Sequence, residues 1–288
     1  MGYFHRHRQL TPYLLLAPGI LWLAVFFVVP LGFLGYQSLQ SGNIDFGYAF
    51  TWAWGNYWHA VRDYRSQFVR SLEYAGVATL LALVFSYPVA YWIAFRGGRW
   101  KNLLLLFVVA PFFVTYLIRT LAWETILSDN GLVVRILRDV HLLGSGGRLL
   151  ATSTAVVAGI TYNFLPFMVL PLYVSLEQID ERLLEAAQDL YASKWKAFLR
   201  VTLPLSLPGV VAGTLLTFIP AAGDFINAQL LGSPENHMIG NVIQSKFLEL
   251  TDYPAAASMS FILMAGILVA VSIYARAVGT EQLTGTAV

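Results

Sequence analysis

The chain has 288 residues, 57% hydrophobic, 15% aromatic and only 12% charged, with a formal net charge of +2. Soluble domains average about 25% charged residues, so 18 Lys/Arg and 16 Asp/Glu are too few to cover a water-facing surface of this size. The small net charge also argues against a nucleic-acid partner. With no cysteine, the chain has no disulfide, thiolate metal site or cysteine nucleophile.

The opening MGYFHRHRQL sets bases before an apolar run from Tyr13 to Leu34. That run is too long for a signal-peptide core and lacks a small-residue cleavage site, so it is expected to be a retained first membrane helix. Crossing the hydrocarbon takes about 20 mostly apolar residues. Six segments qualify, at residues 11–36, 69–95, 103–127, 151–176, 205–231 and 256–277, which predicts an all-α integral membrane protein with six transmembrane helices. With the amino terminus inside, the inside segments hold ten Lys/Arg and the outside segments six, so both termini are expected to be cytoplasmic.

Between the first two segments, residues 40–67 are dense in Trp and Tyr. Two readings fit, an aromatic belt at headgroup level or a docking surface for an external partner. Residues 128–150 predict a short amphipathic helix with apolar positions at Leu132, Val133, Ile136, Leu137 and Val140, closed by a Gly-rich turn. The fourth and fifth segments contain Asn163, Pro166, Pro171, Pro220 and Asp224. Such interruptions mark either a pathway or hinge, or a plain packing kink.

Polar groups inside membrane helices are costly and should face a cavity, a subunit interface or each other. Glu124, Asn163, Asp224 and Asn227 are therefore candidate pathway residues, with Arg119 a further charge within a helix, and Trp123 and Tyr162 join them as aromatic faces that attract cations without trapping them. Arg119 and Glu124 are five apart, a poor helical match for a direct pair.

Residues 177–203 form a polar interruption containing EAAQDLYASKWKAFLRV. Asp180 can cap a helix carrying Leu183, Leu184, Ala187 and Leu190 on one face. Ser193 can cap a second with Trp195, Phe198 and Leu199 together, and Pro204 is expected to open the fifth membrane helix. An interfacial amphipathic pair would look similar.

The run Glu185, Ala186, Ala187, followed by Leu190, Ala192, Phe198 and Leu203-Pro204, resembles the EAA loop of permease subunits of ATP-binding-cassette importers of the type I fold. The stretches LIRTLAWETILSDNGLV, YNFLPFMVLPLYVSLEQID and GDFINAQLLGSPENHMIGNVI resemble the spermidine/putrescine branch of that family. The resemblance implies a single permease domain over residues 1–288 in a bacterial inner membrane, with 177–203 as a cytoplasmic coupling loop. Its implied partners are a cytoplasmic ATPase dimer, a second permease that is a different chain, an extracytoplasmic binding protein and membrane lipid. In this family the loop position held here by Tyr191 is usually Gly, which permits a left-handed turn. Either the turn is made at Ala192 and Ser193, or Tyr191 joins the docking surface.

No GxxxxGK[ST] phosphate loop is present, so ATP and magnesium belong on the partner and this chain carries no cofactor. The five histidines, at 5, 7, 59, 141 and 237, have no metal spacing, and no nucleophile elbow appears. An importer permease for a different small solute is the nearest alternative. An ion-coupled secondary transporter would show paired internal repeats, and none is evident between the two halves. A membrane enzyme would need a catalytic constellation, and none is visible.

Overall fold

The computed structural model describes residues 11–144 and 146–278. In chain order the elements are α1 (Thr11–Leu23), α2 (Val29–Ser38), β1 (Gln40–Asn43), β2 (Gly47–Phe50), α3 (Gly55–Asp63), α4 (Arg65–Arg96) and α5 (Lys101–Val109). Then come α6 (Tyr116–Leu127), α7 (Leu132–Asp139), α8 (Ser153–Glu177), α9 (Glu181–Asp189), α10 (Lys194–Ala197), α11 (Leu203–Leu205), α12 (Leu207–Ala222), α13 (Ile226–Leu231), α14 (Ile239–Gln244) and α15 (Tyr253–Val278). Two compact units result. Of the described residues, one unit holds those up to Asp63 with Ile243–Ile262, the other those of Tyr64–Val242 and 263–278.

In the first unit, α1 and α2 run through a π-helical turn, Ala24–Val28, and give one apolar span, Leu15–Ser38. A β-hairpin follows, with Gln40 opposite Phe50 and Asn43 opposite Gly47. The hairpin was not evident in the sequence, because its residues alternate too weakly to reveal a two-residue period.

The second unit is centred on α4, α8 and α12. The buried stripe of α4 is made of small residues, Ser71, Ala75, Ala78, Ala82, Ser86 and Ala90, while Leu80, Val84, Phe85 and Trp92 are exposed. Water would favour the reverse. Small residues inside and large apolar ones outside suit helices packing closely in lipid. The approach of α12 to α8 depends on glycine. A Cβ on Gly209 would lie 2.6 Å from Ser175 Cβ and 2.7 Å from the Pro171 carbonyl oxygen, and one on Gly213 2.7 Å from Met168 Sδ.

Among the described residues, four helices are long and apolar enough to cross a membrane, Leu15–Ser38, Arg65–Arg96, Ser153–Glu177 and Tyr253–Ala277. The number rises to six if each of two bent pairs counts as one crossing. The predicted helix 103–127 is not continuous. Gly98–Phe113 and Tyr116–Asp139 meet at 92°, because Val114 and Thr115 are extended after the turn that Pro111 begins. The predicted helix 205–231 is broken between Ala222 and Ile226, and a 61° bend precedes it between Leu205 and Leu207. Pro204 thus lies in the short α11, while Pro208 stands in the first turn of α12. In the fourth segment α8 contains both Pro166 and Pro171 and stays helical throughout. The amphipathic helix appears as α7, with Val134 buried and Leu132, Ile136 and Val140 exposed.

Candidate functional site

Polar side chains from α6, α8 and the α12–α13 break meet inside the second unit. Asp224, in the link between α12 and α13, accepts the backbone N–H of Asn227 at 3.0 Å. Asn227 Nδ2 donates to Asp224 Oδ2 at 2.7 Å and to Tyr116 Oη at 2.6 Å, and the Tyr116 hydroxyl donates to the same carboxylate oxygen. Asn163 Nδ2 donates to Asn227 Oδ1 and Thr120 Oγ1, each at 3.2 Å. Thr120 Oγ1 donates to the Tyr116 carbonyl one turn earlier at 3.1 Å. Asp224, Asn227, Asn163 and Thr120 are all buried.

Local structure places these groups. The extended residue Thr115 starts α6 afresh, with Tyr116 and Thr120 four apart on one face. Asp224 and Asn227 lie three apart around a helix start, which lets one carboxylate bond both the backbone and the side chain of Asn227. Gly159 on α8 leaves room for this. A Cβ there would lie 2.6 Å from Asn227 Oδ1 and 2.4 Å from Leu231 Cδ1.

Beside the cluster, Arg119 is only 7% exposed. Its guanidinium carbon sits 5.3 Å from the Phe112 ring centre and 5.6 Å from that of Tyr116, within cation–π range. Its Nε and Nη1 have no hydrogen-bond acceptor among the described residues. Arg119 and Glu124 do not pair. The structure therefore brings Asn163, Asp224 and Asn227 together, sets Trp123 edge-on to Tyr162 at 5.3 Å, and leaves the half-buried Glu124 out of the hydrogen-bonded cluster. Tyr116 and Thr120 are members that the sequence reading missed. The signal available for them was their four-residue spacing after an extended Val-Thr pair. No three His, Cys, Asp or Glu among the described residues are grouped to hold a metal, and His5 and His7 lie outside those residues.

The second candidate region is the loop at 177–203. Asp180 Oδ1 accepts the Arg182 N–H at 2.9 Å and starts α9, while Ser193 Oγ accepts the Lys196 N–H at 3.4 Å and starts α10. Between them Tyr191 takes φ +57°, and its side chain is 98% exposed. The left-handed turn is therefore made at Tyr191 itself, not at Ala192 and Ser193. A left-handed conformation costs a non-glycine residue roughly 1–2 kcal/mol. Glu185 and Ala186 are exposed, as are Leu190 and Trp195, and Ala187 and Ala192 are half-buried.

Phe198 has a different position. It stacks on Trp195 at 5.5 Å and meets Tyr87 and Tyr91 of α4 edge-on at 5.6 and 6.1 Å. The Tyr87 and Ser206 hydroxyls are 2.7 Å apart, and Ser206 Oγ donates to the Leu203 carbonyl, so Tyr87 is the donor to Ser206. The loop is thereby fixed to α4 and to the entry of α12.

Residues 82–278, which include both regions, match the family model described as binding-protein-dependent transport system inner membrane component. The chain is 38% identical over 258 residues to the spermidine/putrescine transport system permease protein PotB of Haemophilus influenzae, covering 89% of this chain and 90% of the relative. Against its Escherichia coli counterpart the identity is 37% over 254 residues, covering 87% and 92%. In fold, the chain matches a chain of a bacterial ABC transporter that imports the acidic polysaccharide alginate, with TM-score 0.67, 20% identity and 98% of each chain covered. It also matches a chain of the MetNI methionine ABC transporter in inward-facing form, with TM-score 0.53, 17% identity and 79% and 99% covered.

Proposed function

Because the chain belongs to the family of binding-protein-dependent transport system inner membrane components, we propose that it is a permease subunit of an ATP-driven polyamine importer, specific for spermidine and putrescine. The observation that carries this reading is the 38% identity to a spermidine/putrescine permease across about nine-tenths of both chains. The chain is a multi-pass protein of the bacterial inner membrane with six crossings, each bent pair counting as one, and both termini are cytoplasmic. It forms half of the translocation pathway and carries no catalytic residue. ATP and magnesium are bound by a separate ATPase dimer, a different permease chain forms the other half, and an extracytoplasmic binding protein delivers cargo.

Glu185, Ala186, Ala187, Leu190, Tyr191 and Ala192 dock on the ATPase. Small alanines permit close approach, Glu185 offers a charge to a basic partner, and exposed Leu190 and Tyr191 supply apolar contact. Phe198 passes the movement on to α4 through Tyr87 and Tyr91. ATP drives the change only through a difference in its affinity for the two states of the transporter. Along the pathway, the Asp224 carboxylate attracts an ammonium group, with Asn163 and Asn227 positioning it and the aromatic faces of Trp123 and Tyr162 holding cations weakly enough for release. Glu124, beside Trp123, adds negative charge to the same helix.

The test is uptake of labelled spermidine and putrescine by cells lacking this chain and by cells with it restored, alongside the Glu185→Arg variant. Uptake that returns with the chain, is lost in the variant and is inhibited by vanadate supports cargo, coupling and ATP drive together. Restored uptake that persists in vanadate and collapses with the ion gradient overturns the ATP-driven reading. No change in either polyamine removes the cargo assignment and directs attention to a different small solute.

A further inference from the structure

Several large apolar side chains of the first unit are exposed around the β1–β2 hairpin, and their anchoring says what covers them. The span Leu15–Ser38 has 24 residues, about 36 Å at 1.5 Å per residue, against a hydrocarbon core of about 30 Å. Its Ser38 end therefore stands at the edge of the hydrocarbon. The hairpin begins two residues later, at Gln40.

The hairpin and α3 are held to that end of the span. Asn56 Nδ2 donates to the Ser38 and Gln40 carbonyls at 2.9 Å each. Ser38 Oγ donates to the Gly35 carbonyl at 2.7 Å, so its 2.7 Å contact with Tyr57 is a bond donated by the tyrosine. On the other side, the Tyr48 hydroxyl donates to the Thr251 carbonyl, and the Tyr253 ring lies 5.5 Å from Tyr48 and 5.1 Å from Phe247. The platform that results carries Ile44, Phe46, Trp54, Trp58, Leu248 and Leu250, each at least 60% exposed, with Phe46 at 91%. Asp45 is the only charged residue between Gln40 and Trp58.

We propose that this platform is a membrane anchor, seated in the phospholipid headgroup zone at the Ser38 end of the first span. A partner that docks and leaves would return these side chains to water, at about 25 cal/mol for every Å² of apolar surface. The surface needs a permanent solvent. Lipid provides one that is continuous with the surroundings of the span, most of whose residues are exposed. Indole rings suit that depth, since the ring is apolar and its N–H reaches the headgroups.

The chain has no cysteine, so single cysteines can be placed cleanly. Phe46→Cys, Trp58→Cys and Leu248→Cys are spin-labelled in the whole transporter, reconstituted in phosphatidylethanolamine and phosphatidylglycerol vesicles. Collision with apolar oxygen is compared with collision with a water-soluble nickel chelate. All three labels are expected to show an oxygen-to-chelate collision ratio about threefold above that of the same nitroxide free in buffer, because oxygen partitions toward the hydrocarbon that borders the headgroups and the chelate toward water. A ratio equal to that of the free nitroxide overturns the proposal, as the platform then faces water. Low collision with both also overturns it, as another protein chain then covers the platform. A second measurement needs no label. The Trp54→Phe, Trp58→Phe double variant should lose a measurable part of the tryptophan quenching produced by shallowly brominated lipids, and unchanged quenching counts against the anchor.

Discussion

Phe198, in the loop region 177–203, meets Tyr87 of α4 with ring centres 5.6 Å apart and planes at 87°. A movement of α10 can reach the packed centre through this contact, because Phe198 meets α4 while Leu183, Leu190, Tyr191, Trp195 and Leu199 are exposed. Phe198→Ala should therefore separate ATP hydrolysis from transport. We expect uptake to fall by at least about tenfold, with stability lowered by about 2 kcal/mol, less than for a fully buried phenylalanine. ATPase rate and uptake measured on one reconstituted preparation check this, and proportional loss of both would point to failed assembly instead.

The carboxylate of Asp224 is expected to matter through its charge. Asp224→Asn keeps the shape and the ability to accept from Asn227, but it removes the only acidic member of the cluster. Uptake should drop by about tenfold, equivalent to about 1.4 kcal/mol, with the amount of protein in the membrane unchanged. Quantitative blotting beside uptake decides between loss of charge and loss of protein.

Gly159 and Gly76 make a paired test of packing. A methyl group on Gly159 would collide with Leu231 and Asn227, whereas one on Gly76 meets nothing within 4 Å. Gly159→Ala should cost about 1–3 kcal/mol as overpacking and reduce uptake by disturbing Asn227. Gly76→Ala should leave both nearly unchanged. Thermal unfolding of the purified permease in detergent reads the difference.

Tyr191 carries backbone strain with no packing to offset it within the chain. Tyr191→Gly should relieve roughly 1 kcal/mol, partly cancelled by the greater freedom of glycine in the unfolded chain. Tyr191→Ala keeps the strain and removes the ring. If uptake falls in both variants, the ring contributes to docking; if only Tyr191→Ala is impaired, backbone geometry is what counts.

Much of the architecture was legible because its causes are local. Runs of about 20 apolar residues announce membrane helices whatever surrounds them, and Asp180 and Ser193 announce helix starts because each bonds an N–H two or three residues away. Asp224 and Asn227 were visible as polar residues in an apolar stretch. Their link to Tyr116, 108 and 111 residues away along the chain, was not.

The sequence by itself determined the membrane as solvent, the approximate spans, the polar loop and the residues that lipid would reject. The tertiary structure alone decided which of those residues meet, that α8 stays unbroken through two prolines, that the third segment turns by 92°, and that Tyr191 accepts a left-handed turn. Hydropathy and capping depend on near neighbours and on solvent. Bends, tolerated prolines and buried polar contacts depend on helices that are distant in sequence, and their energies exist only once those helices have packed.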